Sequence, residues 1–206
     1  MNLDTFTHRL HELYQPAAGQ FSFVDVPEMN FLMIDGEGDP QGPAFQAAVK
    51  RLFSLAHLIK PFIKEKLGSR FVEPPLEGLF WSEANANFAA ASKDLWKWRL
   101  MIVVLDYVTQ DFIHEVAARV ADRLGPAPAS QRLEPYQEGR SVQTLHVGDY
   151  AGVAPVCEEL YGHFLPAHAL QPKGYYHEIY LNDPNRVAPE QRRIVIRQPV
   201  ETLKKV

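Results

Sequence analysis

The sequence predicts an α+β fold built from a duplicated strand-helix-strand-strand unit. Three observations carry this. Strand-forming and helix-forming segments follow one order in residues 21–108 and repeat it in residues 141–200. In both stretches a glycine turn, at Gly36-Glu37-Gly38 and at Gly148, separates the first strand from the helix. The composition, 46% hydrophobic and 22% charged, is that of a globular chain with an ordinary core. Two such units side by side give one antiparallel sheet with helices on one face. The opposite face is then open to form a ligand cleft.

Each element has its own local cause. Residues 1–20 form a lead-in with a short amphipathic piece, Phe6, Leu10, Leu13 and Tyr14, too short for a helix-turn-helix domain. Residues 21–34 alternate and are broken at Pro27-Glu28, which gives one strand or two. Pro43 opens a helix with Phe45, Val49, Leu52, Phe53, Ala56 and Ile59 on one face. Pro61 is expected to kink or split that helix, and Gly68 to stop it. Phe71 to Trp81 reads as a strand whose Pro74-Pro75 confines it to an edge or a bulge. Leu95 to Val108 is the clearest strand. Thr109 caps a helix with Phe112, Val116, Val120 and Leu124 inward, ended by Gly125-Pro126. A connector leads to a strand over Ser141–Val147. A helix follows with Val153, Val156, Cys157, Leu160 and Phe164 on one face, then a strand around Glu178 and a last strand, Arg193–Val200. Residues 1–206 are thus expected to form one domain: a first half over 21–108, a bridging helix and connector over 109–140, and a second half over 141–200.

Several functions are disfavoured by composition. The net charge of -4 argues against nucleic acid as a partner, because phosphate binding relies on clustered Lys and Arg. No apolar run is long enough for a membrane span, and the N-terminus lacks a signal-peptide pattern. The single cysteine, Cys157, excludes an internal disulfide and suits a reducing cytoplasm. No zinc motif, phosphate-binding glycine loop or serine-nucleophile elbow occurs, so neither metal nor cofactor is expected.

The tract Tyr176-His177-Glu178-Ile179-Tyr180 is the most informative segment. As a strand it places Tyr176, Glu178 and Tyr180 on one face and His177 and Ile179 on the other. A carboxylate between two tyrosines faces water, pairs with another group, or lines a pocket; buried alone it costs several kcal/mol. In an aromatic cavity it would attract a cation strongly, and desolvation would raise its pKa toward that of a general base. Glu178 and Tyr176 are therefore the candidate catalytic residues. Tyr180, Tyr150, Trp81 and Trp98 join them as candidate ligand contacts. Trp96 and Trp98 share one strand face, and Lys97 and Arg99 the other, so the Trp face is either packed core or cavity wall.

Four stretches resemble the GyrI-like small-molecule-binding domain family. They are Gly174 to Arg186 with Pro189-Glu190 and Ile194 to Val200, the run Pro74 to Trp81, the strand Trp96-Lys97-Trp98-Arg99, and Gln143 to Tyr150. The resemblance is to the stand-alone bacterial branch and covers roughly residues 20–200. It implies a duplicated strand-helix-strand-strand (SHS2-type) module with pseudo-twofold symmetry. A small lipophilic or cationic aromatic ligand is held in a cleft, with an acidic group at the position matching Glu178. It also implies two alternatives. One is a hydrolase that opens cyclopropane-bearing genotoxins, with Glu178 assisting water attack and a tyrosine such as Tyr176 donating a proton. The other is an interaction protein of the gyrase-inhibitor kind.

Overall fold

The computed structural model describes residues 3–67, 74–83 and 92–203. The elements are helix α1 (Leu3–Tyr14), strands β1 (Ser22–Val26) and β2 (Met29–Glu37), helix α2 (Pro43–Leu67), strands β3 (Leu76–Trp81) and β4 (Lys97–Val104), helix α3 (Gln110–Leu124), and strands β5 (Arg132–Tyr136) and β6 (Gly139–Val147). Helix α4 (Val153–Glu159) runs through a π-helical turn (Leu160–Phe164) into α5 (Leu165–Ala167). Strands β7 (Leu170–Pro172), β8 (Tyr176–Tyr180) and β9 (Arg193–Thr202) complete the fold. The α+β class and the duplicated strand-helix-strand-strand order are as expected.

The chain groups into two compact units, residues 1–10 with 29–136, and residues 11–28 with 137–206. These are not the contiguous halves read along the sequence. Strand β1 precedes the first module but pairs with β6 of the second, Val24 opposite Ser141. Strand β5 precedes the second module but pairs with β2 of the first, Phe31 opposite Glu134. Helix α3 and β5, expected as a bridge, belong to the first unit.

In the first unit the antiparallel strand order is β3-β4-β2-β5. Alternation sends Leu32, Leu100 and Ile102 to the face covered by α2, whose Phe45, Ala48, Leu52, Leu55, Ile59 and Ile63 recur at helical spacing and are buried. Phe53, expected inward, is 45% exposed, because that spacing carries the buried stripe through Leu52 and Leu55. Helix α2 also continues through Pro61 instead of splitting. Pro61 is exposed, so its ring lies away from the buried stripe of α2. The Thr109 hydroxyl caps α3 by accepting from the Phe112 N–H at 3.2 Å. Buried Arg51 of α2 donates to the Gly125 carbonyl beyond the last turn of α3. Strand β3 begins at Leu76, after Pro74-Pro75; Gly68 and Phe71 lie outside the described residues, as does the Phe6 side chain.

In the second unit the order is β1-β6-β9-β8, with β7 also pairing with β9, all antiparallel. Gly148, at φ 141°, makes the turn from β6 that an L side chain resists, and the Asp149 carboxylate accepts from the Gly152 N–H at 3.2 Å. The core here is Val142, Leu160, Leu165, Leu170 and Val200, with Phe21, Tyr161 and Phe164 packed against it. Leu13 and Tyr14, at the end of α1, are buried in this unit.

Candidate functional site

Extended backbone in β8 alternates as the sequence predicts, and the tyrosines turn toward the carboxylate. The Tyr176 hydroxyl donates to Glu178 Oε1 at 3.0 Å, and the Tyr180 hydroxyl donates to Oε2 at 2.7 Å. Both carboxylate oxygens are thus engaged by neutral donors. Helix α4 adds Cys157, whose thiol donates to the Tyr176 oxygen at 3.6 Å. The group therefore lies on the sheet face that carries α4. Glu178 and Tyr180 are half-buried, whereas Tyr176 is 5% exposed.

The electrostatics follow from this enclosure. Burial raises the Glu178 carboxyl above its ordinary range, against the stabilising pull of the two hydroxyls and of His177 and His146. Burial, with the nearby Glu178 charge, holds both Tyr176 and Tyr180 well above the usual phenol value, so both stay protonated donors. Burial also pushes the Cys157 thiol up to about 11, which removes it as a nucleophile at neutral pH.

Tyr150 sits at the rim, 44% exposed, with the Arg192 guanidinium 5.3 Å from its ring centroid. Burial and the Glu178 charge both raise its hydroxyl. His146, near the end of β6, shares the face of Thr144, which lies in one row with Ile196 and Glu178. Its Nε2 is 2.8 Å from the Asp149 carbonyl oxygen, and its ring packs so close to Gly152 that a Cβ there would lie 2.5 Å away. No feature of the sequence singled out His146 or Arg192. His146 lies within the stretch Gln143 to Tyr150, whereas Arg192 falls between the stretches named above.

The structure brings Glu178, Tyr176, Tyr180 and Tyr150 together in the second unit. Trp81 and Trp98 belong to the first. Trp98 is 2% exposed and makes an edge contact with Phe45 at 5.1 Å between ring centroids, so it is a core residue there. Trp81 ends β3, half-buried and opposite Lys97. Two hollows described in the first unit, one under α2 and one between α2 and α3, contain none of the Glu178 group. Among the described residues no cluster of His, Cys, Asp and Glu could hold a metal, and no helix is long and apolar enough to cross a membrane.

Residues 19–201 match the profile of the GyrI-like small molecule binding domain. The chain belongs to the GyrI-like family. Solved structures agree. An uncharacterized conserved protein from Listeria innocua is 32% identical with a TM-score of 0.81, covering 95% of this chain and 98% of that one. A hydrolase from Listeria innocua is 31% identical with a TM-score of 0.76, at the same coverage of both chains. The C-terminal domain of EcmrR shares the fold at 12% identity, with a TM-score of 0.56 over 89% of this chain and 98% of that one. None of the curated proteins compared matches the chain. A GyrI-like domain binds small molecules, and the Glu178 group is a half-buried polar cluster in the second unit of this one.

Proposed function

We propose that this GyrI-like protein binds flat, lipophilic, cationic molecules, with Glu178 as the anionic contact. One observation carries the reading: a half-buried carboxylate is held by two protonated tyrosines beside Ile194 and Ile196 on the same sheet face. Removed from bulk water, that charge attracts a cation more strongly than a surface carboxylate does, and Tyr150 offers a ring for stacking or cation–π contact. Calorimetric titration with a rhodamine-type cation tests it. Glu178→Gln is expected to weaken binding by roughly 1–3 kcal/mol, as the loss of a charged contact. Equal affinity in the two proteins would overturn the reading.

A hydrolytic reading is favoured by the raised Glu178 carboxyl and by the similarity to Listeria innocua proteins described as hydrolases. Glu178 takes a proton from water as the oxygen bonds to a strained cyclopropyl carbon. The breaking carbon–carbon bond sends its electron pair to a conjugated carbonyl, which then takes up a proton. Tyr176, buried and already donating to Glu178, serves best to position the carboxylate; the exposed Tyr150 is the better donor to the substrate. Incubation with a cyclopropane-bearing alkylator, followed by mass spectrometry, should show addition of one water that Glu178→Gln abolishes. Absence of the hydrated product in the native protein would exclude this activity for the compound tested.

A further inference from the structure

On the opposite face of β8, one residue from Glu178, the second unit buries a charged cluster. His177 and Glu138 have side chains 1% exposed, and that of Arg197 is 0% exposed. His177 Nδ1 lies 3.0 and 3.1 Å from the two oxygens of Glu138, and Arg197 Nη1 donates to Glu138 Oε2 at 3.1 Å. Arg197 is directly opposite His177 in the ladder. Its other N–H groups reach the Gln143 side chain at 3.0 Å and the Leu13 carbonyl at 2.6 Å, and its guanidinium lies 5.9 Å from the Tyr14 ring centroid. Glu138 comes from the turn between β5 and β6, Gln143 from β6, and Leu13 and Tyr14 from the end of α1. From its own side, Glu178 is faced by Tyr176, Tyr180, Cys157, Tyr150 and His146, with Arg192 beyond Tyr150.

Glu138 and Arg197 cancel. An ionised Glu178 then leaves one negative charge in a low-dielectric setting, where an uncompensated charge costs several kcal/mol. Apart from Arg192, which lies on the far side of the Tyr150 ring, the group placed to balance it is His177, next to Glu178 in the chain and already against a carboxylate.

We propose that Glu138 holds His177 as a buried imidazolium, and that His177 is a positioning residue whose charge keeps Glu178 ionised before any ligand arrives. Glu138 and Glu178 are then the two anions, and His177 and Arg197 the two cations, of a balanced group spanning both faces of β8. Burial lifts the Glu178 carboxyl and the His177 charge opposes that lift, in keeping with this arrangement. A cationic ligand would take over part of this balancing role. The proposal concerns the site of the preceding section, but its test does not need that ligand.

Nitrogen-detected NMR of the full-length protein, labelled at histidine, reads the state directly. The His177 ring is expected to carry protons on both nitrogens at pH 7. In Glu178→Gln its titration midpoint should fall by about one unit, because a nearby opposite charge has been removed. Carbon-detected titration of Glu178 should show the reciprocal rise in His177→Gln, and a smaller rise in His146→Gln. A neutral His177 ring at pH 7 in the native protein overturns the proposal, even if His177→Gln does not fold. So does an unmoved His177 midpoint in a folded Glu178→Gln. If Glu178→Gln moved the His177 midpoint but left rhodamine affinity unchanged, the coupling would stand and the ligand reading alone would fall.

Discussion

The two units place different side chains on the same ladder. Strands β2 and β6 are both nine residues long, and each follows a five-residue strand across a break, Pro27-Glu28 in one and Gln137-Glu138 in the other. In the first unit one row runs Gly78, Leu100, Ile34; in the second the matching row runs Glu178, Ile196, Thr144. Two residues along, the rows are Phe80, Trp98, Gly36 and Tyr180, Ile194, His146. The first unit fills this space with rings. A Cβ on Gly36 would lie 2.2 Å from the Trp98 ring, and one on Gly78 would lie 2.8 Å from Phe80. The second unit has the smaller Ile194 where Trp98 stands, a tyrosine for a phenylalanine, and a carboxylate where the first has no side chain. Helix α2 spans 25 residues over its sheet, whereas α4 runs for 7 before the π-helical turn. One scaffold thus yields a sealed apolar row and a half-open polar one. Ring volume over glycine closes the first; hydroxyls around a carboxylate keep the second accessible.

Moving the second unit's chemistry into the first should have the largest effect. Gly78→Glu sets a carboxylate against Phe80 and Leu100 with no tyrosine to donate to it. A loss of about 4 kcal/mol or more, or failure to fold, is expected in urea titrations. If stability barely changed, the first unit would not be sealed as its packing indicates. Opening the first unit is the next test. Trp98→Ala empties the space over Gly36 and should cost about 3–4 kcal/mol, with no change in ligand affinity at Glu178. A ligand-affinity loss equal to that of Glu178→Gln would instead return Trp98 to the binding residues.

Much of this contrast could be read in the chain. Period-two alternation put Tyr176, Glu178 and Tyr180 on one face because a strand leaves a side chain no other choice. The strand-helix-strand-strand order was equally local. What escaped was non-local. That β1 pairs with β6, and β5 with β2, depends on where distant strands lie, and no residue in either strand announces its partner. Glu138 sits in a turn, where a glutamate ordinarily faces water; only the return of β8 and β9 encloses it. Trp98 was ambiguous for a related reason. Its face was legible, but what covered that face depended on Phe45 of α2 and on Gly36 two strand positions before a turn. In α2 the stripe was legible and its phase was not: Phe53 reads as core by hydrophobicity, yet helical spacing from Phe45 through Leu52 turns it outward.

The opposite faces of β8 differ as well, and Glu138 tests that difference. Burial alone would raise its carboxyl; the His177 and Arg197 charges and hydrogen bonds outweigh burial and lower it below the ordinary 4.5. A carboxyl lowered in the fold contributes stability above its unfolded value, and that contribution is lost as pH falls through the folded value. Glu138→Gln should therefore cost about 3 kcal/mol near neutrality by leaving Arg197 without its carboxylate. Denaturant titrations across pH should show the native and variant curves converging below pH 4.5, the reference for this group. Parallel curves throughout would mean that the loss reflects shape rather than charge.

Glu178 should show the reverse sign at a smaller amplitude. Its carboxyl is raised by burial even with the opposing His177 charge, so ionising it still costs the fold something. At pH values well below the ordinary 4.5 the group is neutral in folded and unfolded chains alike and contributes no difference. As pH rises past that value, the unfolded chain ionises first and the folded state is penalised. The penalty is complete only above the folded value. Glu178→Gln removes it while keeping an oxygen that Tyr180 or Tyr176 can donate to. The variant is thus expected to be more stable than the native protein by about 1 kcal/mol near pH 7, and no more stable in acid, while losing affinity for cations. That pairing of increased stability with lost binding is what separates a carboxylate kept for a ligand from one kept for the fold. A variant less stable at pH 7 would place Glu178 with Glu138, among the residues that hold the second unit together.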